Sequence, residues 1–549
     1  MKKLIYLTII LLFPIVIYSQ KLTEKAFFNA DKISKNIDPY SLKIDEKSGT
    51  YIYQDYDSVT KKNIILSNKG NSGPYDYPEA YSAIFDSDGN YYIIAYNNTT
   101  DTTFAYFILK NGKEIASYDL IVESWNANNN IIYYICKENN KTCLAMLDMT
   151  TDKVSKGKSY DDIIPCSYPA NVEGDEPSGN IGITNDGKPY YVAKSNDEAF
   201  LVIGTEEQKH YSDIDAYSLK TDAQGNFVYP AKSNGKFYDA GSTFIVKGNK
   251  EYKKFDYIYA PIYFDIASGD PVYIGADSTS ESVYTQRLMI GDKEASKTYT
   301  GGIWNVDYTL SGKLYYVASN TDSKGNSTSF LVFDGKESKQ YQSIGIIKIL
   351  PGDKLLYTAN VNDDKQVIVN DKKETEMENG WTVLDFSVAW NGNLVYVAGK
   401  YGNYEKKTKD KFYVYIGDDE FGPYDGVLSV DYTNNSYVLT DKANNYVYLT
   451  NKIKDAKNYV YKYILYWNDN NSEEFDNIEN VSLINGKPLY TASNYSAKNA
   501  TTKYKLYYGD KSISSEYENI TDYKYNDATK LVTFTGLRGK EFYKVEIQF

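Results

Sequence analysis

The chain has 549 residues and a formal net charge of −13, which argues against a nucleic-acid partner because phosphate binding needs a basic face. An acidic surface instead keeps an exported protein soluble. Tyrosine is the outlying residue, 59 copies against 5 Trp and 14 Pro; in a chain also rich in Lys, Asn and Ile it reads as strand-forming composition before it reads as sugar-stacking rings.

At the N-terminus, Lys2 and Lys3 precede an apolar stretch from Leu4 to Tyr18, and Ser19 is a small residue where a signal peptidase could cut. Residues 1–20 are therefore expected to be a removed signal peptide, with the mature chain starting near Gln20. As a membrane anchor the run is short and contains Pro14. No cysteine follows it to take a lipid, and no second apolar segment is long enough to cross a bilayer. The mature chain is expected in the periplasm, on the cell surface or outside the cell. Roughly 530 residues remain, too many for one ordinary domain unless the fold is a repeat or a large ring.

From there a phrase recurs: a turn residue, then aromatic, aliphatic and small residues. It stands as SDGNYYIIAY (87–96), NDGKPYYVAK (185–194), AQGNFVYPAK (223–232), SGKLYYVAS (311–319), NGNLVYVAGK (391–400) and NGKPLYTAS (485–493). Aligned on the turn, the copies fall at Gly49, Gly89, Asn130, Gly187, Gly225, Gly269, Gly312, Gly352, Gly392, Asn435, Gly486 and a worn Thr529. Twelve copies at a period of about 44 residues match four-stranded propeller blades.

A second phrase follows at fixed phase. LKNGKE (109–114), MIGDKE (289–294), VFDGKE (332–337) and YIGDDE (415–420) lead to an aromatic and an acid, as in Tyr118-Asp119, Phe255-Asp256, Tyr424-Asp425, Phe475-Asp476 and Tyr517-Glu518. Each unit thus predicts four strands, A (IIKIL), B (KLYYVAS), C (SFLVFD) and D running into the aromatic. Gly or Asn at the A–B and C–D turns supplies the positive φ of tight hairpins. Strand B is apolar throughout, as a strand covered on both faces must be, and it closes on small residues such as Ala193, Ala318 and Ala398. Helical periodicity is almost absent, so the chain is all-β.

These phrases resemble the blades of the β-propeller superfamily, in particular exported propellers with TolB-type repeats and the N-terminal propeller of prolyl oligopeptidase-like enzymes. The resemblance covers roughly residues 40 to 549 and implies fold rather than activity. The Ser-Pro before the DG of TolB-type repeats is missing (TLSGK, AWNGN, TNDGK), and no WD dipeptide ends a strand, so family partners do not carry over. About twelve four-stranded blades exceed the four to eight usual in one ring, which predicts two: a six-plus-six division into residues 21–300 and 301–549 with Gly301-Gly302 as the hinge, although five plus seven fits the letters almost as well. The last repeat stops at its third strand, KEFYKVEIQF, while KAFFNADKI (25–33) reads as a spare D strand. Pairing the two removes two sheet edges; it also puts both ends of the chain in one ring, which conflicts with a tandem split.

The A–B and C–D turns are short, whereas the B–C and D–A loops on the opposite face vary, and function on a rigid scaffold sits on such loops. The long ones are 163–180, 277–286, 319–329, 399–411 and 494–503, with Tyr284, Asp322, Tyr401, Tyr404 and Tyr495 as contact candidates. Chemistry is thinly represented. His210 is the only histidine, no GxSxG elbow is present, and the repeats leave no room for a hydrolase domain, so His210 is expected in a surface or packing role. Asp86 to Gly89 looks like half a calcium loop but occupies a hairpin turn; no metal or cofactor is expected, and the sialidase Asp-box is not matched. Cys136 and Cys143 flank an Asn139-Asn140 turn that would set them opposite each other as a cross-strand disulfide candidate, leaving Cys166 over. The expected function is a non-catalytic scaffold for a protein or glycan; the alternative is a propeller glycosidase or polysaccharide lyase using channel carboxylates.

Overall fold

The computed structural model describes residues 21–549 apart from 31–41, 46, 101–102, 167–180, 238, 281–282, 372, 403–407, 432–434, 456–459 and 497–500. The expected signal peptide, residues 31–33 of the spare strand and the contact candidate Tyr404 lie outside the described residues.

The described chain is built from strands and tight turns, with a short 3-10 turn at Ala80–Ser82. Twelve antiparallel sheets of four or five strands follow one another along it. They cover 43–75, 77–118, 120–160, 162–207, 213–251, 257–294, 302–337, 343–376, 382–424, 426–471, 477–512 and 519–548, the last joined by 21–29; they are numbered 1 to 12 below. In the first eleven, the strands A to D run in hairpin order. The turn glycines do the work assigned to them: Gly312, at φ 84°, lets its N–H close on the Thr309 carbonyl at 2.9 Å. In two worn repeats the turn lies elsewhere. The tenth A–B turn is Asp441 to Asn445, with Asn444 at φ 64°, whereas Asn435 belongs to an earlier turn that interrupts strand A; in the twelfth, Lys530 rather than Thr529 takes the positive φ.

Strand B is apolar on both faces because both are covered. In sheet 2, Tyr91, Ile93 and Ala95 pack toward sheet 1 with Ile52 and Ile65, while Tyr92 and Ile94 pack toward sheet 3 with Ile132 and Tyr134. Each such buried aliphatic contributes about 1.5–3 kcal/mol relative to exposure. The same packing joins every consecutive pair from sheet 1 to sheet 8, and again from sheet 9 to sheet 12. Ala193, Ala318 and Ala398 are fully buried at the ends of their B strands, where a larger residue would displace the neighbouring sheet.

The chain divides into two compact units, residues 38–382 and residues 383–549 with the N-terminal stretch. The boundary expected at 300/301 is therefore corrected to 37/38 and 382/383. The reason is physical: Gly301 and Gly302 lie in the unbroken packing of sheets 6 and 7, with the Gly301 N–H bonded to the Ser319 carbonyl at 3.0 Å. The N-terminal strand Lys21–Asn29 pairs antiparallel with Glu541–Gln548, Lys21 opposite Gln548, so the twelfth sheet takes its outer strand from the other end of the chain.

A repeated clasp ties sheets 3 to 8 together at their D strands. Lys158, Lys209, Lys253, Lys297 and Lys339 each stand two residues before the strand-D aromatic and reach a glutamate on the next sheet, Glu207, Glu251, Glu294, Glu337 and Glu374, at 2.5–3.0 Å. Each ammonium also lies over its own aromatic ring, 5.2–5.6 Å from the centroid. Three of the tyrosines, Tyr160, Tyr211 and Tyr341, donate their hydroxyls to the same glutamate. At the closing sheet, Glu24 takes the glutamate's place, accepting from Tyr517 and from Arg538.

Candidate functional site

Strand A, the edge that a propeller blade turns toward its axis, is interrupted in ten of the twelve described sheets. In sheets 2, 4, 5 and 10 it is split in two; in sheets 3, 6, 7, 8, 11 and 12 its register with strand B slips by a bulge. Asn305, Asn480 and Asp522 carry positive φ in these slips. Such breaks re-aim side chains away from the ladder, and they place loops of irregular backbone along the A edge.

A polar cluster on that edge lies at sheets 4 and 5, around a cavity of about 330 Å³ lined by Ile164, Lys194, Asp213, Asp215, Tyr217 and Phe237 among others. Asp213 accepts the Ile214 and Phe237 N–H groups, each at 3.2 Å, and faces Lys194 Nζ at 3.4 Å. Asp215 accepts the Tyr217 and Ser218 N–H groups and the Ser218 hydroxyl. These bonds hold the break in strand A so that the Tyr217 ring stands 61% exposed at the mouth. Behind Asp213, its register partner Lys232 is fully buried and donates to the Asp239 carbonyl. Burial pushes the Lys232 ammonium below its ordinary range, partly offset by Asp239, Asp213 and Asp256. The cavity thus offers paired charges and one open ring, suited to orienting a polar ligand.

On the opposite, tight-turn end of the same two sheets, clefts of about 410 and 350 Å³ share Ile203, Gly225 and Phe227. Sequence reasoning looked only to the long loops and missed them. The aromatic pair lining the 410 Å³ cleft, Tyr190 and Phe227 with centroids 4.8 Å apart, was nonetheless visible in PYYVAK and GNFVY.

The contact candidates are dispersed. Tyr284 packs edge-on against Tyr257 at 5.3 Å. Asp322 accepts the Lys324 and Asn326 N–H groups and the Asn326 amide within its own turn, which holds its carboxyl below the usual range. Tyr401 is exposed and stands edge-on to Phe412 at 5.1 Å. Tyr495 is exposed, its N–H bonded to Asp476 at 2.8 Å. Among the described residues no hydrogen bond, ion pair or ring contact joins one of these four to another. His210 stacks on Phe200 with centroids 4.0 Å apart and its Nδ1 lies 2.9 Å from Glu198. Asp86 accepts the Asp88 and Asn90 N–H groups and the Asn90 amide, spending its carboxylate on the hairpin. Cys136 and Cys143 are buried register partners with Sγ atoms 3.0 Å apart, present as thiols; Cys166 is buried among the residues between sheets 4 and 5.

Acidity separates framework carboxylates from available ones. Glu207, Glu251, Glu294 and Glu374 are held low, each chiefly by its clasp lysine. Asp222 is held at about 2: the Asn226 amide and Lys247 outweigh its burial. Glu79 departs the other way, raised by burial, and is the one carboxylate among the described residues displaced upward.

No family model matches the chain, and no curated protein matches it. Among solved structures it is similar to a eukaryotic initiation factor, at 8% identity over 68% of this chain and 94% of that one, TM-score 0.31. It is similar to the β-propeller domain of the Trilobed protease from Pyrococcus furiosus, at 11% identity over 54% and 94%, TM-score 0.23. TolB from Acinetobacter baumannii is similar at 14% identity over 54% and 77%, TM-score 0.21. With its consecutive four-stranded sheets packed face to face, the chain is an all-β protein of the β-propeller fold.

Proposed function

We propose that this protein is an exported, non-catalytic binding scaffold that recognises a protein or glycan through the face carrying its B–C and D–A loops. The observation that carries this reading is the state of the acids: carboxylates displaced downward are spent on ion pairs and hydrogen bonds within the framework, and among the described residues Glu79 is the one raised. A carboxylate pair working as acid and base is marked by two groups pushed apart in acidity in one site; Glu79 is the place where the glycosidase or lyase alternative would be sought. Exposed rings at the B–C and D–A ends of the sheets, Tyr56, Tyr77 and Phe104 in one unit and Tyr401 and Tyr495 in the other, are the kind of anchor that recognition surfaces use. Propeller frameworks suit this work because function sits on loops held by a rigid scaffold.

The test is cross-linking capture from the cell envelope together with a glycan array, on the chain as exported and on a variant shortened between Lys400 and Lys411. Loss of capture with melting unchanged supports the face assignment. Capture that survives the shortening and also survives Tyr495→Ala and Tyr56→Ala overturns it.

A further inference from the structure

Sheet 2 ends, on the long-loop face, in a run of rings that its own packing does not enclose. Tyr77 of strand A, Tyr96 of strand B and Tyr106 of strand C are register partners across three neighbouring strands. The Tyr77 and Tyr96 rings stack with centroids 4.9 Å apart and planes at 22°, and Tyr96 and Tyr106 repeat this at 4.9 Å and 26°. Phe104 closes on Tyr96 edge-on at 5.6 Å. The stack stops at Tyr77 because Tyr77–Pro78 is the edge strand of its sheet. Tyr77 is 52% exposed and Phe104 38%.

Two residues beyond Tyr77 stands Glu79, whose N–H bonds the Ile94 carbonyl at 2.9 Å, so it occupies the next same-face position down the strand. The Ser82 hydroxyl lies 3.4 Å from its carboxylate. Burial disfavours its charged form, which favours a ligand that can hydrogen-bond it.

We propose that this array is a carbohydrate subsite, in which the C–H face of a neutral pyranose ring lies on the open face of Tyr77 and a ring hydroxyl bonds Glu79. It rests on the glycan arm of the reading above. The occupant follows from the make-up of the patch: its exposed apolar groups are aromatic rings. The adjoining B–C loop carries amides and hydroxyls, Asn98, Thr99 and Thr103. A pyranose has the matching pair of surfaces, one apolar face and a hydroxyl rim. The net charge of −13 disfavours anionic glycans.

Calorimetric titration of the purified chain with cellohexaose, maltohexaose, mannohexaose and chitohexaose tests this. At least one is expected to bind saturably. Tyr77→Ala is expected to weaken that sugar about tenfold or more, as truncating a ring anchor does. Tyr77→Phe, which keeps the ring, holds affinity within about twofold, and melting is unchanged in both. Binding by none of the four sugars overturns the subsite, as does full affinity in Tyr77→Ala. Sugar binding that survives Tyr77→Ala but is lost on shortening 400–411 overturns this subsite and leaves the glycan-scaffold reading standing. A cross-linked protein partner with no sugar binding overturns the subsite and leaves the protein arm.

Discussion

The Tyr341 hydroxyl donates a 2.8 Å hydrogen bond to Glu374 Oε1, 33 positions later on the outer strand of the next sheet. Lys339 reaches the same oxygen at 2.9 Å while lying over the Tyr341 ring. One carboxylate thus gathers a hydroxyl and an ammonium from the neighbouring sheet, and the hydroxyl bond is a charge-assisted one. Hydrogen bonds to charged groups contribute about 1.5–3 kcal/mol, reduced here by partial exposure of the lysine. Tyr341→Phe is expected to destabilise by about 1 kcal/mol and Glu374→Ala by about 2 kcal/mol. Urea denaturation of both singles and the double variant should show a non-additive cycle; additivity would show that the clasp is geometry without coupling.

The clasp also sets a pH dependence whose sign is fixed. Lys339 and the Tyr341 hydroxyl hold the Glu374 carboxyl below its ordinary 4.5. Its contribution is therefore complete above 4.5 and is lost as the pH falls through the lower folded-state value. Glu79 runs the opposite way: burial raises its folded value above 4.5, so its cost appears as the pH rises through the window above 4.5. Against wild type, Glu374→Gln should melt lower at pH 7 and converge as the pH falls below 4.5 and through the lower folded-state value. Glu79→Gln should melt as high as wild type or higher at pH 7.

Removing residues 21–29 should leave Glu541–Gln548 as an unpaired edge and strip Tyr517 and Arg538 of Glu24. An open strand edge recruits another chain. Light scattering on the truncated protein should show association, and Glu24→Ala, which keeps the strand, should stay monodisperse and melt a few degrees lower. A monodisperse truncation would show that the edge is protected by other means.

Cys136 and Cys143 face each other across one hairpin whose turn residues Asn139 and Asn140 take φ 49° and 65°. In an oxidising compartment the pair is expected to cross-link, leaving Cys166 as the single thiol. Mass spectrometry of the protein recovered from an oxidising compartment, after alkylation in denaturant, should find one modified cysteine. Three modified cysteines would show that the pair stays reduced.

The repeat was legible because its punctuation is local: a glycine such as Gly312 or Gly392 stands where only a positive φ closes the hairpin. Where that punctuation has worn, reading failed in a physically intelligible way. Asn435 also has a positive φ, 49°, but it belongs to a turn inside strand A, so one residue type marked two different turns. The strand-A breaks follow the strand-D aromatic at a nearly fixed phase, as at Ile164, Ile214 and Leu428, but no single letter marks all of them, which hid the cavity beside Tyr217. The clasp was hidden by abundance, since Lys and Glu are so common that Lys339 and Glu374 become a pair only once the sheets are laid side by side. The ring stack at Tyr77 depends on register across three strands, a relationship that linear spacing does not express.

Tyr517 and Glu24 meet across 493 positions of chain, while the eight sheets of 38–382 are contiguous in sequence. Each of those eight can settle against its predecessor soon after it is made, but the strand Lys21–Asn29 has no partner until Glu541–Gln548 has been made. The smaller unit is consequently the last to lock, and it is the place where a stalled or clipped polypeptide would be left open.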